Sequence, residues 1–255
     1  MRRGLRGVAR RAAVLLLALA ACEGARAADI SHYDPIGFSE DGRVFAFGEW
    51  GIQDGSGAPY VTVSAIDTES DTFLSGTPIR LHAGEPGDLT PREMHRMVHA
   101  MRARAHGLLE AATADIVFMR GNLQTLAPVT DLTREGRRLL VKPYPTVELI
   151  GRPIVLELTP VRFERGLNGC PDFAGPVSGF ALTLSAESGP PHVMHRDDHV
   201  PRSRGCALDY HLAGVETHHT HDTTTIVALV QVLSLGFEGH DARWMAVARR
   251  IPRGR

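Results

Sequence analysis

Short apolar runs, separated by glycine, proline and acidic turn residues, follow one another along most of the chain. Apolar and polar residues alternate in Tyr60–Ile66, which is typical of a strand buried on one face. Val44–Phe47 is a second predicted strand, enclosed by turns at Asp41-Gly42 and Gln53–Gly57. The pattern therefore predicts a mainly β protein. Further short strands are predicted around Phe73 and at Ile116–Phe118, Leu139–Val141, Val147–Leu149, Ile154–Leu156, Phe180–Leu184, Ile226–Leu233 and Arg243–Ala248.

One segment has the period of a helix instead. Thr90-Pro91-Arg92-Glu93 is a capping box with proline at the first helical position. Apolar residues then recur at a spacing of about 3.6, which predicts one long amphipathic helix near 91–112. The residues of this apolar face are Met94, Met97, Val98, Met101, Leu108 and Leu109.

Two distant segments share one pattern: Gly-Phe, a few polar residues, Asp-x-Arg and an apolar strand. It runs from Gly37 to Phe47 and again from Gly236 to Val247. We expect the two segments to lie side by side, as adjacent strands or equivalent edges of one sheet. No third copy occurs in the sequence, so a complete propeller is not predicted. The predicted fold has many short antiparallel strands in a sandwich- or propeller-blade-like arrangement, with one long helix.

The first 27 residues have the composition of a signal peptide. MRRGLRGVARR is basic, and AAVLLLALAA is apolar but too short to span a bilayer. Ala25-Arg26-Ala27 fits the small-x-small cleavage rule, which would leave 28–255 as a single secreted, β-rich domain. Alternatively, Leu19–Cys22 resembles a bacterial lipobox and would make Cys22 a lipidated N-terminus. We therefore expect a periplasmic or secreted protein without a transmembrane span, lipid-anchored in the envelope under the alternative.

Charge and motifs narrow the range of functions. Lysine and arginine total 28 against 29 acidic residues, so no global positive field would recruit nucleic acid. The chain contains no Gly-x-Ser-x-Gly elbow, no His-Glu-x-x-His, no phosphate loop and no Cys-x-x-Cys. These absences favour a protein that is not an enzyme, without catalytic residues or a cofactor.

The cysteines predict one disulfide. Cys22 lies in or at the end of the signal peptide, which leaves Cys170 and Cys206. Two cysteines in an oxidising compartment are expected to pair. Both lie in turn-rich surroundings, where a bridge would hold loops that lack a core.

Histidine is frequent, with thirteen residues. His218, His219 and His221 stand together, and in an extended segment His219 and His221 would share a face and bind zinc or copper. No cysteine or carboxylate completes a closed site with these histidines, so solvated loop histidines are the ordinary interpretation and the metal site is the alternative. Elsewhere, Glu49 and Trp50 beside the turn at Gln53–Gly57 are candidates for a binding surface.

Three segments together resemble a known family. They are GFSEDGRVFAFGEWGIQDGSGAPYVTVSAID (Gly37–Asp67), SRGC (Ser203–Cys206) and GFEGHDARWMAVA (Gly236–Ala248). They are similar to the bacterial "predicted secreted protein" family, domain of unknown function 2259. FSEDGRVFAF alone also resembles a blade of TolB-type propellers, whereas the THHTHD stretch at Thr217–Asp222 departs from the family pattern. The family has no assigned activity, so the resemblance implies export and a single fold and adds no catalytic residue.

The expected function is that of an exported binding or interaction module without catalysis. Its expected partner is an envelope protein or a small ligand, and not a nucleic acid. The alternative is a metal-binding or metal-dependent periplasmic protein that would use the histidines of 192–221, with zinc or copper as the metal.

Overall fold

The computed structural model describes residues 28–252, apart from 85–86, 115, 134, 143–152, 164–169, 171–175, 187–188 and 238. The predicted signal peptide (1–27), including Cys22, and the predicted strand Val147–Leu149 lie outside the described residues. The described residues form three sheets of antiparallel strands, one α-helix and one short 3-10 helix. The prediction of a mainly β fold with one long helix is confirmed.

The N-terminal third of the described chain forms sheet one. Its strands are β1 (His32–Phe38), β2 (Val44–Ile52), β3 (Pro59–Asp67), β4 (Thr72–Phe73) and β5 (Ile79–His82). The order is β1-β2-β3, and β4 and β5 both pair with the outer edge of β3. Because side chains alternate along a strand, β3 buries Val61, Val63 and Ala65 on one face and directs Thr62 and Ser64 to the other.

Helix α1 (Pro91–Ala112) begins and ends where the sequence predicts. The hydroxyl of Thr90 accepts the N–H of Glu93, and the Glu93 carboxylate accepts the N–H of Thr90, which completes the capping box. Ala105 and Leu109 pack the helix onto sheet one. Within the described part of the chain, neither α1 nor the 3-10 helix has the combination of length and apolar character that a membrane span requires.

Two further sheets follow. Sheet two contains β7 (Arg138–Val141), β8 (Ile154–Arg162), β9 (Ser178–Ala186) and β10 (His192–Arg196); sheet three contains β6 (Asn122–Leu126), β11 (Ala207–His219), β12 (Thr223–Leu235) and β13 (His240–Pro252). The strand orders are β10-β9-β8-β7 and β13-β12-β11-β6. The 3-10 helix, Arg202–Arg204, connects sheet two to β11.

Sheet three is the central layer, because consecutive residues of the largely apolar run Ile226–Leu233 in β12 are buried on both faces. Val230 packs in one core with Leu182 of sheet two, and Leu229 packs in another core with Phe45 of sheet one. A strand buried on both faces is apolar at consecutive positions, so this run does not alternate. The layers therefore stand in the order α1, sheet one, sheet three and sheet two.

The two segments with a shared pattern do not lie in one sheet, so that prediction is wrong. Gly37–Phe47 contributes to sheet one, and Gly236–Val247 contributes to β13 of sheet three. The two strands nevertheless pack face to face, since Phe47 and Trp244 belong to the same core. The reason is that β13 pairs along its whole length with β12, its neighbour in the hairpin.

Several strands follow the predicted runs closely, but others differ. Ile116–Phe118 forms no strand, and the neighbouring Met119 only makes an isolated bridge with Phe38. The sequence does not predict β11, because its polar residues Glu216 and Thr217 are buried and interrupt the apolar pattern. β1, β5, β6 and β10 also lack a strong apolar signal.

Candidate binding cleft

A cleft of about 690 Å³ lies where sheet one meets sheet three. Sheet one lines it with the face that does not carry α1. This face contributes Phe47 and Glu49 from β2 and the alternate residues Tyr60, Thr62, Ser64 and Ile66 from β3. The other walls are Arg243–Ala246 of β13, Ser203-Arg204 of the 3-10 helix and His195 of β10.

The register of the strands arranges aromatic and basic side chains along the rim. Phe73 of β4 pairs with Ile66, whereas Arg80 of β5 pairs with Thr62. His82 lies two residues beyond Arg80 and therefore on the same face. The cleft thus has an aromatic end at Phe73 and a basic end at Arg80 and His82.

The N-terminal segment holds Arg243 in place at the basic end. Arg243 Nη2 donates to the Asp29 carboxylate, and Nη1 donates to the main-chain oxygen of Asp29 at 2.7 Å. The buried Asp29 carboxylate also accepts the hydroxyl of Tyr60 at 2.8 Å. The Arg243 guanidinium lies 4.5 Å from the centroid of the Tyr60 ring, a cation–π geometry. These contacts give the guanidinium one orientation.

Glu49 is a buried carboxyl group at the floor of the cleft. Burial raises its pKa above the usual value, although Trp244 N and Ser31 Oγ both donate to its Oε2 at 2.8 Å. Trp244 Nε1 in turn donates to the main-chain oxygen of Ser31 at 2.9 Å. Glu49 therefore joins β2 to the N-terminal segment and to β13.

A second charged group borders the aromatic end. Asp71 accepts the N–H of Ala248 at 2.9 Å, and its Oδ2 lies 3.8 Å from His195 Nδ1. Burial raises the pKa of Asp71. The turn of sheet one that carries Asp71 is thus held against β13 of sheet three and β10 of sheet two.

His195 continues this group into sheet two. Its Nε2 lies 2.9 Å from Asp197 Oδ1, and Arg204 Nη1 donates to Asp197 Oδ2 at 2.6 Å. Burial alone would raise the pKa of Asp197, but the hydrogen bonds with His195, Arg204 and the N–H of Phe180 outweigh it and lower the pKa to about 2. Asp197 therefore stays ionised and fixes both basic groups at the wall of the cleft.

The predicted disulfide between Cys170 and Cys206 is present, with Cα atoms 5.6 Å apart. Cys206 directly follows Gly205, whose φ of +58° favours glycine, and Gly205 follows the 3-10 helix Arg202–Arg204. The disulfide therefore holds the turn that presents Arg204 to the cleft.

The predicted metal-binding histidines lie at the end of the β11–β12 hairpin, outside the lining of the cleft. His218 Nε2 is 3.0 Å from the main-chain oxygen of Glu40, and His221 Nδ1 is 2.8 Å from Asp222 Oδ1. His219 follows His218 in the strand and so faces the other side of the sheet. Among the described residues, no group of three or more His, Cys, Asp or Glu is arranged to hold a metal ion. Zinc or copper binding by these histidines stays a prediction.

The sequence indicated two cleft residues, Glu49 for a binding surface and His195 among the metal-binding candidates, and it did not indicate the others. Glu49 lines the cleft, but Trp50 faces the helix, where the Arg102 guanidinium lies 5.5 Å from its ring centroid. The sequence signal that could have indicated the cleft is the polar face of β3 at Thr62 and Ser64. A polar face on a strand normally indicates solvent, so it does not by itself reveal that another sheet walls the space above it.

The three segments that carry the family resemblance meet at this cleft. Glu49 belongs to the first segment, Arg204 to the second and Trp244 to the third. The family model described as "Predicted secreted protein (DUF2259)" matches residues 46–250. A search of curated proteins finds no match, and the likeness to a TolB-type blade stays a prediction. Because the family model covers well over half of the chain, the protein belongs to this family of predicted secreted proteins.

Proposed function

We propose that the protein is an exported binding module without catalysis, and that its ligand occupies the cleft between sheets one and three. The observation that carries the proposal is the meeting of three distant segments there, represented by Glu49, Arg204 and Trp244. A volume of about 690 Å³ lies within the range of small-molecule sites. We therefore favour a small ligand over an envelope protein as the partner.

The chemistry of the walls supports recognition. Arg204 and Arg243 are each held by a buried carboxylate behind them, Asp197 and Asp29. Side chains held in one orientation lose little conformational freedom when a ligand arrives, which favours affinity. Phe73 and the side chains of β13 supply apolar surface beside these polar groups.

For localisation, we propose a soluble periplasmic or secreted protein whose signal peptide is cleaved after Ala27. Both cleavage sites retain Asp29, which the fold uses, so the choice rests on the match of Ala25-Arg26-Ala27 to the small-x-small rule. The alternative is a lipid anchor at Cys22. Fractionation of cells that express the wild type or Cys22→Ser separates the two: a protein found in the membrane fraction only when Cys22 is present would support the anchor.

A thermal-shift screen tests the binding function. The exported protein is mixed with a panel of small acids, bases, sugars, apolar alcohols, Zn²⁺ and Cu²⁺. A ligand that binds only the folded state raises the melting temperature, with about 2.7 kcal/mol of stabilisation at a hundredfold excess over Kd. We expect at least one organic class to do so.

The decisive comparison uses a variant that fills the cleft. Thr62→Trp places an indole in the space beside Arg80, and Thr183→Trp makes the same change on β9, outside the cleft. We expect the shift to vanish in Thr62→Trp and to persist in Thr183→Trp. Shifts that are equal in both variants, or a panel without any hit, would contradict a ligand site in the cleft. A shift caused only by Zn²⁺ or Cu²⁺ and abolished by His218→Ala or His221→Ala would favour the metal alternative.

A further inference from the structure

We propose that the ligand of this cleft is a small organic anion with an apolar body, whose acid group meets Arg80 and His82 and whose body lies against Phe73 and Ile66. The inference rests on the proposed function and adds the chemical class of the ligand. It follows from three features of the cleft: a basic group without an acidic partner, the aromatic end, and the distance between the two.

The first feature is the state of the charged groups. Arg204 and Arg243 already pair with Asp197 and Asp29. Arg80 is exposed at the rim and has no acidic partner among the described residues. It therefore offers the cleft a guanidinium with its donors free, the group that recognises carboxylate and phosphate most strongly.

Among the described residues, no carboxyl group of the cleft contacts the Arg80 guanidinium. Glu49 is held by Ser31 and Trp244, and Asp71 is held by the N–H of Ala248. Burial also raises the pKa of both carboxyl groups above their usual values. An incoming anion thus meets Arg80 and His82 with little opposition.

The second feature is the aromatic end. Phe73 is 50% exposed although it lines the cleft, and it pairs across the strands with the buried Ile66. Burial of such a ring by a ligand is favourable, at about 25 cal/mol for each Å² of apolar surface removed from water. A purely polar anion would leave this surface in water.

The third feature is the spacing. Arg80 pairs with Thr62 and Phe73 pairs with Ile66, so the two ends are four residues apart along β3. At about 3.3 Å per residue, they lie about 13 Å apart along the strand. A medium-chain carboxylate such as decanoate has a comparable length and the required polarity.

The experiment compares three probes by calorimetry at low ionic strength: decanoate, decanol and inorganic phosphate. We expect decanoate to bind about tenfold or more tightly than either of the others, a ratio that corresponds to about 1.4 kcal/mol. Arg80→Gln should remove the preference for decanoate over decanol. Phe73→Ser should weaken the binding of both decanoate and decanol. Arg104→Gln, which removes an exposed positive charge from α1, should change the affinity for neither.

The outcomes separate this inference from the proposed function. If decanol binds as tightly as decanoate and Thr62→Trp abolishes both, the cleft binds ligands but the acid group is not recognised, and the inference is wrong. If no probe binds while a sugar or a base from the panel does so in a Thr62-dependent way, the anion class is wrong and the binding function stands. If nothing binds in a Thr62-dependent way, both fail.

Discussion

At the scale of the residue, Asp34 shows how one buried carboxylate joins two elements. It lies in β1 and accepts hydrogen bonds from Arg102 of α1 at its two oxygens, at 2.7 and 2.9 Å. His106 Nε2 lies 3.2 Å from the same carboxylate. Burial alone would raise the pKa of Asp34, but the bonds with His106 and Arg102 outweigh it and lower the pKa from 3.8 to about 2.

The lowered pKa of Asp34 predicts how the free energy of unfolding depends on pH. A pKa that is lower in the folded state stabilises the fold above the unfolded value near 4, and the contribution disappears as pH falls towards 2. The size is about 2 kcal/mol. We expect Asp34→Asn to unfold in less urea than the wild type at pH 7, with the gap closing at about pH 2.

The matched control is Asp222→Asn, which changes an exposed carboxylate at the β11–β12 turn. Its unfolding free energy should equal that of the wild type at both pH values. A gap for Asp34→Asn that is as large at pH 2 as at pH 7 would show that shape, and not charge, makes the contribution.

At the scale of the element, the disulfide holds the turn that walls the cleft. Cys170 and Cys206 are 36 residues apart in sequence. In the chain-entropy model, a loop of this length stabilises the fold by about 4 kcal/mol, because the bridge restricts the unfolded chain. We expect the double variant Cys170→Ala/Cys206→Ala to lose about this free energy in urea unfolding.

Reduction provides the control for this prediction. Dithiothreitol should lower the urea midpoint of the wild type towards that of the double variant and leave the variant unchanged. Because the 3-10 helix precedes Cys206, we also expect the double variant to bind the cleft ligand more weakly. Equal midpoints for reduced and oxidised wild type would contradict the stabilising role.

At the scale of the whole molecule, the residues before β1 join sheet one to sheet three. Asp29 contacts Tyr60 of β3 and Arg243 of β13, and the main chain pairs in a parallel bridge between Ile30 and Ala242. Removal of the Asp29 carboxylate would leave the largely buried Arg243 with only the longer ion pair to Asp241, at 4.0 Å. A buried pair that loses one member is costly.

We therefore expect Asp29→Ala to lower the unfolding free energy by about 2–3 kcal/mol, with the transition still cooperative. Asp29→Asn, which keeps an oxygen acceptor for Tyr60, should cost less. Asp88→Ala, at an exposed position, serves as the control in the same urea titration. A wild-type midpoint for Asp29→Ala would mean that the N-terminal segment does not hold the sheets together.

Local patterns in the sequence determined much of the secondary structure. The capping box at Thr90 and the 3.6-residue period defined α1, and the period of two in Tyr60–Ile66 defined β3. The pairing of Cys170 with Cys206 followed from the number of cysteines. In each case a few neighbouring residues, or a simple count, contain the whole physical constraint.

The tertiary structure alone decided which strands pair, which faces are buried twice and where the cleft lies. The sequence did not predict β11, because the polar residue Glu216 occupies an interior position of this strand. Glu216 is buried against Tyr33, whose hydroxyl donates to its carboxylate at 2.6 Å. The two similar end segments fell into different sheets because backbone pairing depends on the hairpin neighbour. The cleft joins Arg80, Arg204 and Arg243 across long stretches of sequence. Such contacts depend on the packing of whole sheets, which no local period encodes.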